Sequence, residues 1–255
     1  MRSQLLITFF SLLTSAFAST GVLLPLYVYP NDGCTAWESV FEAITSFPSL
    51  LFTVIINPNS GPGTGDTTYA SCISRLKSTG SNVVVVGYVS TSWGSRAQSD
   101  VSTDVSTYAS WAAAYRPSGI FFDEASTEAS DVSLYQTYAS AARSALGSSA
   151  TVVLNPGTNT DQGYFSFSDL IVTAEDYYSN FASSDLQISD STPASKQAVI
   201  LHDAPSPSSL PNGFLSDLTG KGIGSVFITD EDNNNAYSVI SSTWLDFCGD
   251  LADAQ

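Results

Sequence analysis

The chain has one histidine, three cysteines and only 8 lysines and arginines among its 255 residues, and each shortage removes a class of function. A single histidine, His202, cannot supply a two-histidine metal centre, and the spacing of Cys34, Cys72 and Cys248 matches no metal motif. No G-x-x-x-x-G-K-[ST] loop occurs, and no G-x-G-x-x-G follows an apolar run. Neither a metal nor any other cofactor is therefore expected. A serine, His202 and an aspartate could in principle form a triad, but the G-x-S-x-G elbow is missing. There is no N-x-[ST] sequon either, which argues against N-glycosylation. With 24 aspartates and glutamates the formal charge is -16, a surface that repels nucleic acid and anionic membranes. Such a surface suits a neutral partner, or a cationic one such as a polysaccharide with free amines, although acidity also serves solubility.

Residues 1–18 combine a basic start at Arg2, an apolar stretch from Leu5 to Leu13 and the small exit Ala16-Phe17-Ala18, the pattern of a cleaved secretory signal. No later run approaches the roughly 20 apolar residues of a membrane helix. The expectation is a secreted, soluble monomer whose residues 19–255 form one domain. A secretory route permits a disulfide, with the third cysteine left free or paired between chains. Cys72 and Cys248 fall on apolar helical stripes, so buried thiols are the competing reading. Cys34 begins the first helical segment and Cys72 lies early in the second, whereas Cys248 lies late in the last. That placement predicts a Cys34–Cys72 disulfide and a buried, free Cys248.

Apolar, β-branched runs recur at Val22–Tyr29, Leu51–Ile56, Val83–Val89, Gly119–Phe122, Thr151–Leu154, Leu170–Thr173, Ala198–Leu201 and Ser225–Thr229. Between most of them lie helical stripes: Trp37, Phe41 and Ile44; Tyr69, Ile73 and Leu76; Val101, Val105, Tyr108 and Trp111; Val132, Tyr135, Tyr138 and Ala142. Tyr237, Ile240, Trp244 and Phe247 suggest a closing helix. Strand and helix alternating eight times predict a (β/α)8 barrel, with an open doubly wound sheet as the alternative. Pro156 to Asp169 holds no convincing helix, so that crossover should be short or irregular.

In such a barrel the residues that end each strand converge on one face. In order they are Tyr29, Asn57, Tyr88, Asp123 with Glu124, Asn155, Glu175, His202 with Asp203, and Asp230 with Glu231. The run Gly119-Ile120-Phe121-Phe122-Asp123-Glu124 is the most telling, because a fully apolar strand ends in two adjacent carboxylates. A helix N-cap would also explain them, and Glu175-Asp176 also reads as an exposed acidic turn. Glycosidic cleavage needs one protonated and one ionised carboxyl group flanking the bond, and Asp123, Glu124 and Glu175 supply the candidates. Tyr29, Asn57, Tyr88, Asn155, Tyr177, Tyr178, His202 and Asp230 offer the aromatic faces and polar groups that bind sugars, while His202-Asp203 reads most simply as a hydrogen-bonding pair. Pro58 to Gly63 is turn chemistry.

Five ordered motifs then carry a family resemblance from about Val22 to Leu251. They are Pro25-Leu26-Tyr27-Val28-Tyr29-Pro30, Val54-Ile55-Ile56-Asn57-Pro58-Asn59-Ser60-Gly61-Pro62-Gly63, Gly87-Tyr88-Val89, Gly119 to Glu124, and Val226-Phe227-Ile228-Thr229-Asp230-Glu231. The chain resembles the spherulin-4-like proteins, grouped as glycoside hydrolase family 135. The resemblance implies a secreted (β/α)8 glycosidase that hydrolyses α-1,4-linked N-acetylgalactosamine internally in a fungal polysaccharide, galactosaminogalactan. It carries an acidic triplet over onto Asp123, Glu124 and Glu175. By analogy with α-glycosidase barrels that place carboxylates after strands four and six, Asp123 is expected as nucleophile and Glu175 as general acid and base, with Glu124 tuning the pair and retention as the outcome. The competing class is a noncatalytic cell-wall or spore-coat protein that binds glycan in the same groove.

Overall fold

The computed structural model describes residues 19–210 and 213–255, so the expected leader at 1–18 lies outside the described residues. Eight parallel strands close into a barrel in sequence order. They are β1 (Gly21–Leu26), β2 (Phe52–Ile56), β3 (Val83–Ser90), β4 (Gly119–Asp123), β5 (Thr151–Leu154), β6 (Leu170–Tyr177), β7 (Gln197–His202) and β8 (Ser225–Ile228). Closure is made by Gly21 and Val22 of β1 against Ser225 and Val226 of β8. Most strand residues are buried, as expected where a barrel interior lies on one side and a helical layer on the other. Gly119 at the start of β4 shows how tight the wall is: a Cβ there would stand 2.1 Å from the Thr151 carbonyl oxygen.

The outer layer differs between the two halves. Helices α1 (Glu38–Ser46), α2 (Thr67–Thr79), α3 (Gln98–Ser110) and α4 (Val132–Leu146) follow the first four strands. Their buried stripes are the ones the sequence periodicity marked, for example Tyr69, Ile73 and Leu76 on α2. After β5 there is only a 3-10 turn at Gln162–Ser166, the irregular crossover expected there. Its aromatics replace the missing helix: Tyr164 packs on Tyr135 of α4 at 5.5 Å between ring centres, and Phe165 is buried.

Strict alternation fails a second time, between β6 and β7, where three 3-10 turns stand in place of a helix. Ser183-Ser184-Asp185 and Ser189-Asp190-Ser191-Thr192-Pro193 compete for backbone hydrogen bonds or lack a donor, so no helix propagates. A buried Gln197 side chain ties the crossover down, donating to the carbonyls of Gln187 and Thr192 and accepting from Thr173. A short α5 (Phe214–Gly220) precedes β8, and α6 (Trp244–Asp253) ends the domain. Tyr237 and Ile240 therefore lie before the closing helix, not on it.

Cys34 and Cys72 form a disulfide with Cα atoms 5.5 Å apart, which joins the start of the first helical segment to α2. Cys248 is free and buried on α6, and burial pushes its thiol well up. No described helix is long and apolar enough to cross a membrane.

Candidate active site

The strand register carries Asp123, Asn155 and Glu175 to one end of the barrel. Asp123 is the last residue of β4 and pairs with Ser90. Asn155 directly follows β5. Glu175 lies inside β6 and not beyond it, because pairing with β7 continues to Tyr177 opposite His202. A register shift between Val172 and Ala174 precedes it, the kind of bulge that re-aims the side chains that follow.

One amide joins the two carboxyl groups. Asn155 Nδ2 donates to Asp123 Oδ1 at 2.8 Å and to Glu175 Oε2 at 2.6 Å. Its Oδ1 accepts from the Gly157 N–H at 3.0 Å, which fixes the amide orientation. Glu175 Oε1 accepts from the Tyr237 hydroxyl at 2.5 Å, so both its oxygens are held.

Glu124 occupies the left-handed region at φ 52°, a conformation that costs a non-glycine residue roughly 1–2 kcal/mol. A buried clamp holds it there. Thr91 Oγ1 donates to the carbonyls of Asp123 and Glu124 at 2.9 and 2.8 Å and lies 2.7 Å from the Tyr135 hydroxyl, while the Trp93 N–H donates to the Glu124 carbonyl. The Glu124 carboxylate accepts from Ser90 Oγ at 2.6 Å.

Burial, helped by the nearby Glu175 charge, pushes Asp123 up to about 6 against the lowering effect of Tyr88, the Glu124 amide and Asn155. Burial also raises the phenols of Tyr27, Tyr88 and Tyr237, and the carboxylates beside them raise these further. The three therefore remain protonated donors. Tyr27 packs edge-on against Tyr88 at 5.6 Å and Tyr237 at 5.8 Å, so phenols line one wall of the carboxylate cluster.

The expected sugar-binding residues separate into two groups. Asn155 and Tyr88 meet the carboxylates, with Asn155 holding them in place. Tyr29 does not: its hydroxyl donates to Asp66 at the start of α2 and its ring packs on Tyr69. The reason is a boundary error, since β1 ends at Leu26 and the residue facing the carboxylates is Tyr27. Asn57 accepts from the Gly61 N–H and so stabilises its own loop. Tyr177 is exposed at the rim, edge-on to His202 at 4.5 Å, and Tyr178 packs on Phe214 instead. His202 Nδ1 lies 2.7 Å from Asp203, as the pair reading expected. Asp230 accepts from the Ser241 and Thr243 hydroxyls before α6.

Tyr237 is the candidate site residue the periodicity concealed, because it fell in step with the stripe of α6. Asn233-Asn234-Asn235 just before it are poor helix formers and are the signal that the helix starts later. Among the described residues no group of three or more His, Cys, Asp or Glu is placed to hold a metal ion.

Comparison with known proteins agrees with the fold. Spherulin-4 of Physarum polycephalum is 44% identical over 161 residues, which span 62% of this chain and 46% of that protein, so the match covers less than half of the relative's length. The crystal structure of Aspergillus clavatus Sph3 in complex with GalNAc superposes with a TM-score of 0.81 at 30% identity, covering 92% of this chain and 98% of that one. A chitinase from Bacteroides thetaiotaomicron matches at a TM-score of 0.58 and 9% identity over 93% of this chain and 98% of that one, a likeness of fold alone. The model of spherulation-specific family 4 matches residues 21–251, and the chain belongs to that family.

Proposed function

We propose that this chain is a secreted glycoside hydrolase that cuts within an amino-sugar polysaccharide of the α-1,4-linked N-acetylgalactosamine kind and retains the anomeric configuration. The observation that carries the reading is the Asn155 amide shared by Asp123 and Glu175. The two bonded oxygens can be no farther apart than those bonds laid end to end. That upper limit lies short of the roughly 6.5–9.5 Å that an inverting pair needs to admit water, which favours a retaining pair. The GalNAc bound to the Aspergillus clavatus relative supports the sugar class.

In an α-linked 2-acetamido sugar the acetamido group shares a face with the leaving oxygen, so it cannot attack from behind. A protein carboxylate must do so. The pair shares one proton: with that proton on Glu175, an oxygen of ionised Asp123 attacks the anomeric carbon while Glu175 passes the proton to the glycosidic oxygen, and the bond to the leaving chain breaks. Water then loses a proton to Glu175 as its oxygen attacks the same carbon, which releases Asp123. Glu124, held by Ser90, adds negative charge beside the developing positive charge on the sugar. Asn155 and Tyr237 hold Glu175 in line.

The test is turnover of partially N-acetylated α-1,4-galactosamine polymer, with the anomer of the first product followed by NMR. Retention is expected. A wild-type protein that binds amino-sugar polysaccharides and cleaves none would replace the hydrolase with a glycan-binding wall protein.

A further inference from the structure

We propose that Trp93 is a stacking platform for a sugar ring beside the scissile bond, and that the glycan lies across the barrel mouth from Trp93 past the carboxylates to Tyr177. The proposal rests on the glycan reading above and extends it to a subsite.

Among the described residues the exposed large aromatics are Tyr29, Trp93 and Tyr177 at 49%, 65% and 41%, and all three lie where a strand ends at the carboxylate face. Trp93 is the most open of them, although indoles are on average well buried. Its backbone is nonetheless held rigidly. Ser92 and Trp93 both sit in the left-handed region at φ 47° and 52°. The Trp93 N–H donates to the Glu124 carbonyl at 2.6 Å, the Gly94 N–H to Thr91 at 3.0 Å and the Ser95 N–H to Ser92 at 2.9 Å. Strain that presents an apolar ring to water gains nothing from packing, and strained residues concentrate where ligands are held.

Position identifies the ligand. The preceding residue, Ser92, reaches the Glu124 carboxylate at 3.5 Å and the Trp93 N–H bonds the Glu124 carbonyl, so the backbone that carries the indole is anchored beside the proposed reacting centre. A ligand that meets the carboxylates and an indole together offers both hydroxyl groups and a flat apolar face, which is what a pyranose ring presents. Trp93 follows β3 and Tyr177 ends β6, with the strands of Asp123 and Asn155 between them in the barrel order. A groove of that span fits several rings, in keeping with internal cleavage.

The experiment measures binding of N-acetylated α-1,4-galactosamine oligomers of defined length to Asp123→Asn, and to the same protein carrying Trp93→Ala or Trp93→Phe. Trp93→Ala should weaken binding of long oligomers by about tenfold, with a penalty that grows with chain length, and Trp93→Phe should restore most of it. In the active enzyme Trp93→Ala should raise KM more than it lowers kcat, whereas Leu51→Ala, an exposed apolar change at the opposite end of the barrel, should alter neither. Because Trp37 and Trp244 are buried at 0% and 3% and Trp111 is half-buried, glycan should shield from acrylamide the part of the tryptophan emission that Trp93→Ala removes.

If polymer is cleaved normally and Trp93→Ala keeps wild-type affinity at every length, the platform is wrong and the hydrolase stands. Glycan that binds, shields Trp93 and is never cleaved keeps the platform and removes the hydrolase. An effect of Trp93→Ala on self-association without one on glycan affinity would make Trp93 a contact between copies and overturn the proposal.

Discussion

Two sides of the barrel mouth look alike in sequence and differ in what their acids touch. β4 ends at Asp123 with Glu124 next, and β7 ends at His202 with Asp203 next. Both second residues sit in the left-handed region at φ 52°. Both backbones reach the neighbouring loop, through Ala125 N–H to the Asn155 carbonyl on one side and Asp203 N–H to the Glu231 carbonyl on the other. On the β4 side the carboxylate of Asp123 meets a side chain from the next strand end, which also reaches Glu175. On the β7 side the Asp203 carboxylate takes the His202 ring and the Asn233 backbone N–H, and Asp230 takes the hydroxyls of its own loop. An acid after a strand is thus equally a reagent or a loop fastener, and its partners decide which.

The largest expected effect separates those roles. Asp123→Asn, Glu124→Gln and Glu175→Gln keep shape and most hydrogen bonds but remove attack or proton exchange. Each should lower turnover by at least roughly 10²-fold with folding and glycan binding preserved. The wild-type rate should fall as pH rises through about 6, because the pair then loses its last proton and no acid remains for the leaving oxygen. A rate that rises through that point would mean that the proton lost there is not the one the leaving oxygen needs. Because the Glu175 charge contributes to the Asp123 shift, the limb belongs to the pair and not to one residue.

Asn155→Ala tests the bridge itself and should cost about 10 to 10²-fold in turnover, because both carboxylates lose the donor that aligns them. Removing a donor that lowers Asp123 should also move that limb to higher pH. An unchanged limb with a large rate loss would mean that Asn155 binds sugar and does not position the acids.

The barrel was legible because its signals are local and repeated: apolar runs with period two or fully buried, and stripes at helical spacing on α1 to α4. The carboxylates were legible for the same reason, since each ends an apolar run. What escaped depends on partners distant in sequence. Tyr237 is bonded to Glu175 across the mouth, and nothing near either residue announces the other. The bulge in β6 has no marker comparable to glycine, and Tyr27 was passed over because alternation continued through Tyr29 after the pairing of β1 had stopped. The β6–β7 crossover was covered only by the general eightfold alternation, with no stripe marked there, and its serine, aspartate and proline content opposes a helix.

A stability measurement sharpens the comparison at smaller scale. Asp123 is raised from 3.8 to about 6 in the folded protein, so the folded state holds a proton that the unfolded chain has released between those values. The stabilisation it provides is complete below about pH 4 and lost as pH rises through about 6. Asp123→Asn removes that loss and should be the more stable protein at pH 7 by up to about 3 kcal/mol, with the advantage gone at pH 4. Denaturant titration at the two pH values reads it, and a gain independent of pH would mean that burial does not raise Asp123.

The smallest effect is expected on the β7–β8 side. Asp230→Ala leaves the Ser241 and Thr243 hydroxyls without their acceptor and frees the turn that leads into α6, so it should cost about 1–2 kcal/mol of stability. Turnover at a temperature where the variant is folded should change by less than about threefold, since none of the Asp230 bonds reaches Asp123, Asn155 or Glu175. Asp230 was expected to bind sugar from its place after β8, and a KM raised tenfold or more without loss of stability would return it to that role. Each reading moves one quantity and leaves the other, so one variant measured both ways decides whether a strand-end acid holds its loop or meets the glycan.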